Sequence, residues 1–150
     1  VMYIADLENS NISASTLKIK DNTHTNIPER SAWSPEGDKI AYSASGTVGI
    51  CDPDGKNSRL IKCYDNNSIC LHLEWSPNGD KILYEFNLPP DQVNRERIGV
   101  IDAGNGDVKE ILASSFEYSY SLSWAGDGRK VVYLKNDGSY DNGYLVDLGG

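Results

Sequence analysis

The amino-acid sequence predicts an all-β chain of repeated antiparallel sheets, on three observations. A ten-residue segment recurs without gaps: Trp33-Ser34-Pro35-Glu36-Gly37-Asp38-Lys39-Ile40-Ala41-Tyr42, Trp75-Ser76-Pro77-Asn78-Gly79-Asp80-Lys81-Ile82-Leu83-Tyr84, and Trp124-Ala125-Gly126-Asp127-Gly128-Arg129-Lys130-Val131-Val132-Tyr133. Each copy is followed by a short apolar run closing on an acid: Val48-Gly49-Ile50-Cys51-Asp52, Ile98-Gly99-Val100-Ile101-Asp102, and Gly143-Tyr144-Leu145-Val146-Asp147. No stretch holds a helical period, because Gly, Asn, Asp and Ser interrupt every region where one could begin.

The tryptophans stand 42 and 49 residues apart (33 to 75, 75 to 124), close to the length of a four-stranded propeller blade. Within a blade, four antiparallel strands A to D run from the inside outward. Strand A carries the tryptophan, which is expected at the start of that innermost strand, packed between neighbouring blades. Ser-Pro-x-Gly-Asp-Lys is turn chemistry: Pro35 and Pro77 preset φ, and Gly37, Gly79 and Gly128 accept the positive φ that follows. Strand B ends at the tyrosine and alternates, with β-branched and aromatic residues. Strand C ends at Asp52, Asp102 or Asp147, and this repetition at one structural position predicts a strand-end hydrogen-bonding role. A glycine turn leads to a short strand D, at residues 59–61 and 108–112.

Residues 1–7 match strand B, with Tyr3 where Tyr42 stands; residues 17–21 match strand C and residues 25–27 strand D. No strand A precedes them, and Leu148-Gly149-Gly150 is too short for a strand D. The expectation is one unit over residues 1–150, made of β-propeller blades of four-stranded antiparallel sheets. It has about four blades, near 1–30, 31–72, 73–121 and 122–150, with fourteen strands and both terminal blades incomplete.

The pattern Trp-Ser-Pro-x-Gly-x-x-Ile-x-Tyr, with its apolar strand ending in aspartate and glycine turn, resembles the TolB-like (WD-repeat-like) propeller repeat. Trp33 to Tyr42 with Ile50 to Gly55 carry it, as do Trp75 to Tyr84 with Val100 to Gly106; the third copy departs, with Ala125-Gly126 in place of Ser-Pro. The resemblance implies a propeller and, for many members, a periplasmic or extracellular location. The sequons Asn11-Ile12-Ser13 and Asn66-Asn67-Ser68 point the same way. It leaves function open, because such blades serve binding proteins, surface proteins and the gating propellers of prolyl-oligopeptidase-like and tricorn-like peptidases.

With 22 acidic against 14 basic residues, the net charge of −8 argues against nucleic acid, whose phosphates demand a basic stripe. It also argues against an anionic membrane surface, and no apolar run approaches the roughly 20 residues a membrane-spanning helix needs. Cys51, Cys63 and Cys70 with His24 and His72 lack the paired spacing of a zinc site, so neither metal nor cofactor is expected. Cys63 and Cys70 flank a polar stretch and could close a loop in an oxidising compartment. Neither histidine has a Gly-x-Ser-x-Gly elbow or a catalytic-type cysteine beside it, so the chain is read as no enzyme.

A–B and C–D turns share one face of a propeller; B–C and D–A connections share the other and are expected to be long and irregular. They place Asp91, Arg95, Phe116, Tyr118, Tyr120 and Tyr140 on one surface, with contact area and polar tips suited to a protein or peptide. The expected function is a non-catalytic binding or scaffold module using that long-loop face. The alternatives are a substrate-gating propeller fragment of a peptidase and part of a propeller lyase or glycosidase. Unpaired terminal edges further predict edge-to-edge self-association or missing blades from a longer chain.

Overall fold

The computed structural model describes residues 2–6, 13–17, 30–65, 67–92, 95–114, 119–136 and 141–149. Every element among them is a strand. An N-terminal hairpin pairs β1 (Met2–Asp6) with β2 (Ser13–Leu17). Blade I runs β3 (Arg30–Trp33), β4 (Ile40–Ala44), β5 (Thr47–Cys51), β6 (Arg59–Lys62). Blade II runs β7 (Ile69–Trp75), β8 (Lys81–Asn87), β9 (Glu96–Asp102), β10 (Val108–Ser114). Blade III has β11 (Ser119–Trp124), β12 (Lys130–Asn136) and β13 (Asp141–Asp147). In each sheet every strand pairs only with its neighbours in sequence, the up-and-down order of a propeller blade. The all-β, repeated-blade expectation holds.

Three details correct the sequence reading. Each tryptophan closes its innermost strand instead of opening it: Trp33, Trp75 and Trp124 are the last residues of β3, β7 and β11. The reason is the turn that follows at once. Ser34 N–H and Ser76 N–H bond to Lys39 O and Lys81 O at 2.9 and 2.8 Å, so the residue before the serine must already be paired. His72 lies inside β7. In the N-terminal hairpin, β2 spans Ser13–Leu17 instead of residues 17–21, because Met2 pairs with Leu17 and the ladder runs back from there to Ser13. Residues 18–29, with the expected third strand, lie outside the described residues. Blade I also has a tight B–C connection: Ser45 and Gly46 both take positive φ (48° and 73°), making a two-residue hairpin turn.

The turns work as their chemistry demands. Gly37, Gly79 and Gly128 sit at φ 73°, 74° and 66°. In blades I and II the buried serine adds two bonds, donating to Asp38 or Asp80 Oδ1 and accepting Lys39 or Lys81 N–H, all at 2.9 Å. In blade III the Ala125 turn keeps the backbone bonds, at 2.8 and 3.0 Å, and Asp127 Oδ1 accepts Arg129 N–H at 2.9 Å in place of the serine's bonds.

Neighbouring blades join through their tryptophans. Trp75 Nε1 donates to Ala32 O at 3.1 Å, and Trp124 Nε1 to Glu74 O at 3.4 Å. In both, the acceptor is the residue just before the previous blade's tryptophan. Between blades I and II this latch caps an apolar cluster containing Ala41, Val48, Ile50, Trp75, Ile82 and Tyr84. Between blades II and III the filling is Leu83, Ile98, Val100, Leu122, Trp124, Val131 and Tyr133. Strand alternation explains the division: Ile82, Tyr84 and Phe86 face blade I, while Leu83 faces blade III.

Candidate functional site

A groove of about 470 Å³ opens on the short-turn face, between the A–B turns of blades I and II and the C–D turn of blade II. Ile50 and Trp75 give its apolar lining, and Glu36, Asp38, Asp80 and Asp102 place four carboxylates on it beside the ammonium of Lys39, with Asp80 paired to Lys81 at 2.7 Å from outside the lining. The sequence reading favoured the opposite face; the groove escaped it because its walls come from residues 34–39, 75–80 and 102–104, which only the stacking of blades brings together.

The groove's walls are fastened. Asp102 Oδ1 accepts Gly104 N–H and Asn105 N–H, both at 2.9 Å, which shapes the C–D turn. That turn is clamped to blade I by Arg59, whose Nη1 and Nη2 donate to Gly104 O and Ala103 O at 2.7 and 2.5 Å. Ala103 N–H bonds to Asp80 O at 2.8 Å, tying it to the adjoining A–B turn. Lys39 Nζ meets Asp52 Oδ1 at 2.6 Å, so the groove's one lysine is drawn toward an acid outside it. Against the upward push of partial burial, hydrogen bonds from Lys81 and Ser76 hold the Asp80 carboxyl below its ordinary value. Such an acidic surface suits a cationic group with an aliphatic stem, whose methylenes would lie on Trp75 and Ile50.

On the long-loop face, Asp91 is exposed in the connection between β8 and β9. Arg95 is half-buried and bonds across that loop's base: its Nε donates to Leu88 O at 3.3 Å, and Leu88 N–H to Arg95 O at 2.7 Å. It holds the loop as well as lining it. Phe116, Tyr118 and Tyr140 lie outside the described residues, and of Tyr120 only the backbone, on β11, falls within them. The strand-end acids share one position, but Asp52 pairs with Lys39, Asp102 caps its turn, and Asp147 Oδ1 accepts Gly149 N–H at 3.0 Å.

No nucleophile and base meet among the described residues. His72 Nε2 lies 3.3 Å from Glu74 Oε2, and Cys70 Sγ donates to the His72 carbonyl at 3.1 Å. His24 lies outside the described residues. All three cysteines are free thiols, so Cys63 and Cys70 are unbridged. Burial pushes the Cys51 thiol up to about 11 and Cys63 to about 12, the reverse of an activated thiolate. Among the described residues no group of three His, Cys, Asp or Glu is placed to hold a metal.

A buried acid was missed. Glu96, on β9, is 4 % exposed, and neither carboxylate oxygen has a hydrogen-bond partner. Alternation puts it with Ile98 and Val100 on the side facing blade III. It adds to the elevation of the Tyr133 phenol, which burial and the neighbouring Tyr144 cause first.

No protein-family model and no curated protein matches this chain. Among solved structures it is similar to the β-propeller domain of the Trilobed protease from Pyrococcus furiosus, described as having an open velcro topology. The likeness has a TM-score of 0.60 at 20% identity, over 82% of this chain and 40% of that one. The two share the β-propeller fold, and this chain spans about two-fifths of the other's length.

Proposed function

We propose that this chain is a non-catalytic, TolB-like propeller module that binds a polypeptide partner, and that the groove between blades I and II takes a basic segment of it. The observation that carries the reading is the groove itself: four carboxylates and one committed lysine around an apolar strip, on walls that hydrogen bonds already hold in place. Walls ordered before binding leave little entropy to lose on association. The long-loop face, with Asp91 at its surface, gives the same partner a second place to contact the module.

Fluorescence anisotropy with labelled peptides of equal length tests the reading. A lysine- and arginine-rich peptide should bind, an acidic one should not, and added salt should weaken the complex. Glu36 is exposed and lines the groove, so Glu36→Lys should weaken binding about tenfold without touching the fold. Equal binding of both peptides, or indifference to Glu36→Lys, refutes it.

A second reading, that the chain gates substrate for a peptidase, is favoured by the neighbour's being a protease propeller. It predicts flanking sequence with a Gly-x-Ser-x-Gly elbow and matching Asp and His. On either reading the 150-residue chain alone should show no turnover in a peptidase, esterase and glycosidase screen, and activity lost on His72→Ala would refute both.

A further inference from the structure

The four carboxylates of the groove between blades I and II are not alike, and their hydrogen bonds sort them. Asp80 has both oxygens committed: Oδ1 accepts the Ser76 hydroxyl at 2.9 Å, and Oδ2 meets Lys81 Nζ at 2.7 Å. Asp38 takes the Ser34 hydroxyl on Oδ1 at 2.9 Å, and its Oδ2 has no bonded partner among the described residues. Asp102 uses Oδ1 for Gly104 N–H and Asn105 N–H, and its Oδ2 is likewise without a partner among them. Glu36 is exposed and makes no bond among them through either oxygen. Lys39, also in the lining, is engaged by Asp52.

The fold does not require the unused oxygens. In blade III the position of Asp38 and Asp80 holds Arg129, and the turn still forms through its backbone bonds and the Asp127 carboxylate. The A–B turn of blade II carries Asn78 and the paired Asp80 where that of blade I carries Glu36 and the half-engaged Asp38. At the groove, unengaged oxygens therefore stand on two different walls: Glu36 and Asp38 on the A–B turn of blade I, and Asp102 on the C–D turn of blade II.

Deepening the basic-segment reading, on which this rests, we infer that the groove selects arginine over lysine, with the guanidinium held between Asp38 and Asp102 and Glu36 adding charge on the same side as Asp38. Two acceptors on separate walls call for a donor that reaches both at once. A guanidinium offers five N–H donors in a flat fork and is weakly hydrated, whereas an ammonium is a compact, strongly hydrated point charge. The arginine stem packs on the apolar lining of Trp75 and Ile50. The groove's volume of about 470 Å³ falls in the range of roughly 300–1,000 Å³ that ligand pockets occupy.

The test uses the 150-residue protein and three acetylated, amidated peptides alike in length and charge. They carry arginine, lysine, or dimethylarginine, which keeps the charge and loses the bidentate fork. Fluorescence anisotropy should give the arginine peptide a Kd at least about tenfold below that of the other two. Asp38→Asn and Asp102→Asn each keep an oxygen to hold the turn, as native circular dichroism should verify. Each should bring the arginine-to-lysine ratio down to about twofold or less. Equal binding of the arginine and lysine peptides, or of the arginine and dimethylarginine peptides, overturns the selection while leaving a groove for basic segments. A ratio that survives both substitutions overturns it as well. If none of the three peptides binds, the basic-segment reading itself falls, and this inference with it.

Discussion

At the joint between blades I and II, Trp75 reaches the Ala32 carbonyl over a filling that includes Val48, Ile61, Tyr84 and Phe86. At the joint between blades II and III, Trp124 reaches the Glu74 carbonyl in the same way, but the filling shares its sheet face with the buried, unbonded carboxylate of Glu96. The difference teaches what the repeat conserves. The latch uses a backbone acceptor, so it works whatever side chain stands there, Ala32 or Glu74. The filling is free to vary, and it does.

The tyrosine of strand B shows the same freedom. In blades I and II it lies opposite glycine, Tyr42 with Gly49 and Tyr84 with Gly99, and a Cβ on either glycine would overlap the phenol ring. The Tyr84 hydroxyl then meets Tyr64 at 3.2 Å, and Tyr64, Tyr84 and Phe86 form an edge-to-face cluster. In blade III the glycine position holds Tyr144, opposite Tyr133, and the rings stack at 5.0 Å with 12° between planes. One register thus accepts a tyrosine over glycine or a tyrosine against tyrosine.

The largest effect expected from breaking this comparison is at the latch. Trp75→Ala should cost about 3–5 kcal/mol in urea unfolding, because it opens a cavity between two four-stranded blades. Trp124→Ala should cost less, since it loosens a three-stranded sheet whose Val132, Leu134 and Leu145 are already exposed. Equal losses would mean that the joints are equivalent despite their different fillings.

Next comes the glycine under the tyrosine. A methyl group at Gly99 would overlap the Tyr84 phenol and stand 2.8 Å from the Lys109 carbonyl, whereas at Gly143 the nearest atom is Leu134 Cδ2 at 3.5 Å. Gly99→Ala should therefore destabilise by about 1–3 kcal/mol, and Gly143→Ala by about 0.5 kcal/mol or less. A reversed order in chemical denaturation would refute the assignment of Tyr84 to a glycine-dependent seat.

The smallest concerns the buried acid. Glu96→Gln replaces an acid with no bonded partner at the second joint by a neutral side chain of the same shape, and should raise the unfolding free energy in urea by about 1 kcal/mol. A loss of stability instead would show that the carboxylate is bonded in solution.

Much of this was legible in the sequence, and the remainder was hidden for physical reasons. The turn glycines were readable because positive φ admits few residues, and the strand-end acids because a turn needs an acceptor there. The tryptophans were expected between blades, where Trp75 and Trp124 lie buried while Trp33 is 47% exposed, and none was expected as the last residue of its strand, because a Ser-Pro turn can follow a strand or precede one. The long-loop aromatics drew attention by composition, while the groove, assembled from segments far apart in sequence, carried no local signature. Glu96 looked like one more surface acid in a chain with 22 acidic residues; only the stacking of blade III shows it buried.

The middle blade carries a latch donor and a latch acceptor side by side in sequence: Glu74 accepts from Trp124 while its neighbour Trp75 donates to Ala32. A tandem duplication of one repeat therefore brings both halves of a new joint in a single event, with no co-adaptation between distant codons. Such an array is easy to lengthen over generations, and nothing in the joint tells it when to stop; the number of blades must be fixed by something other than the bond that holds them together.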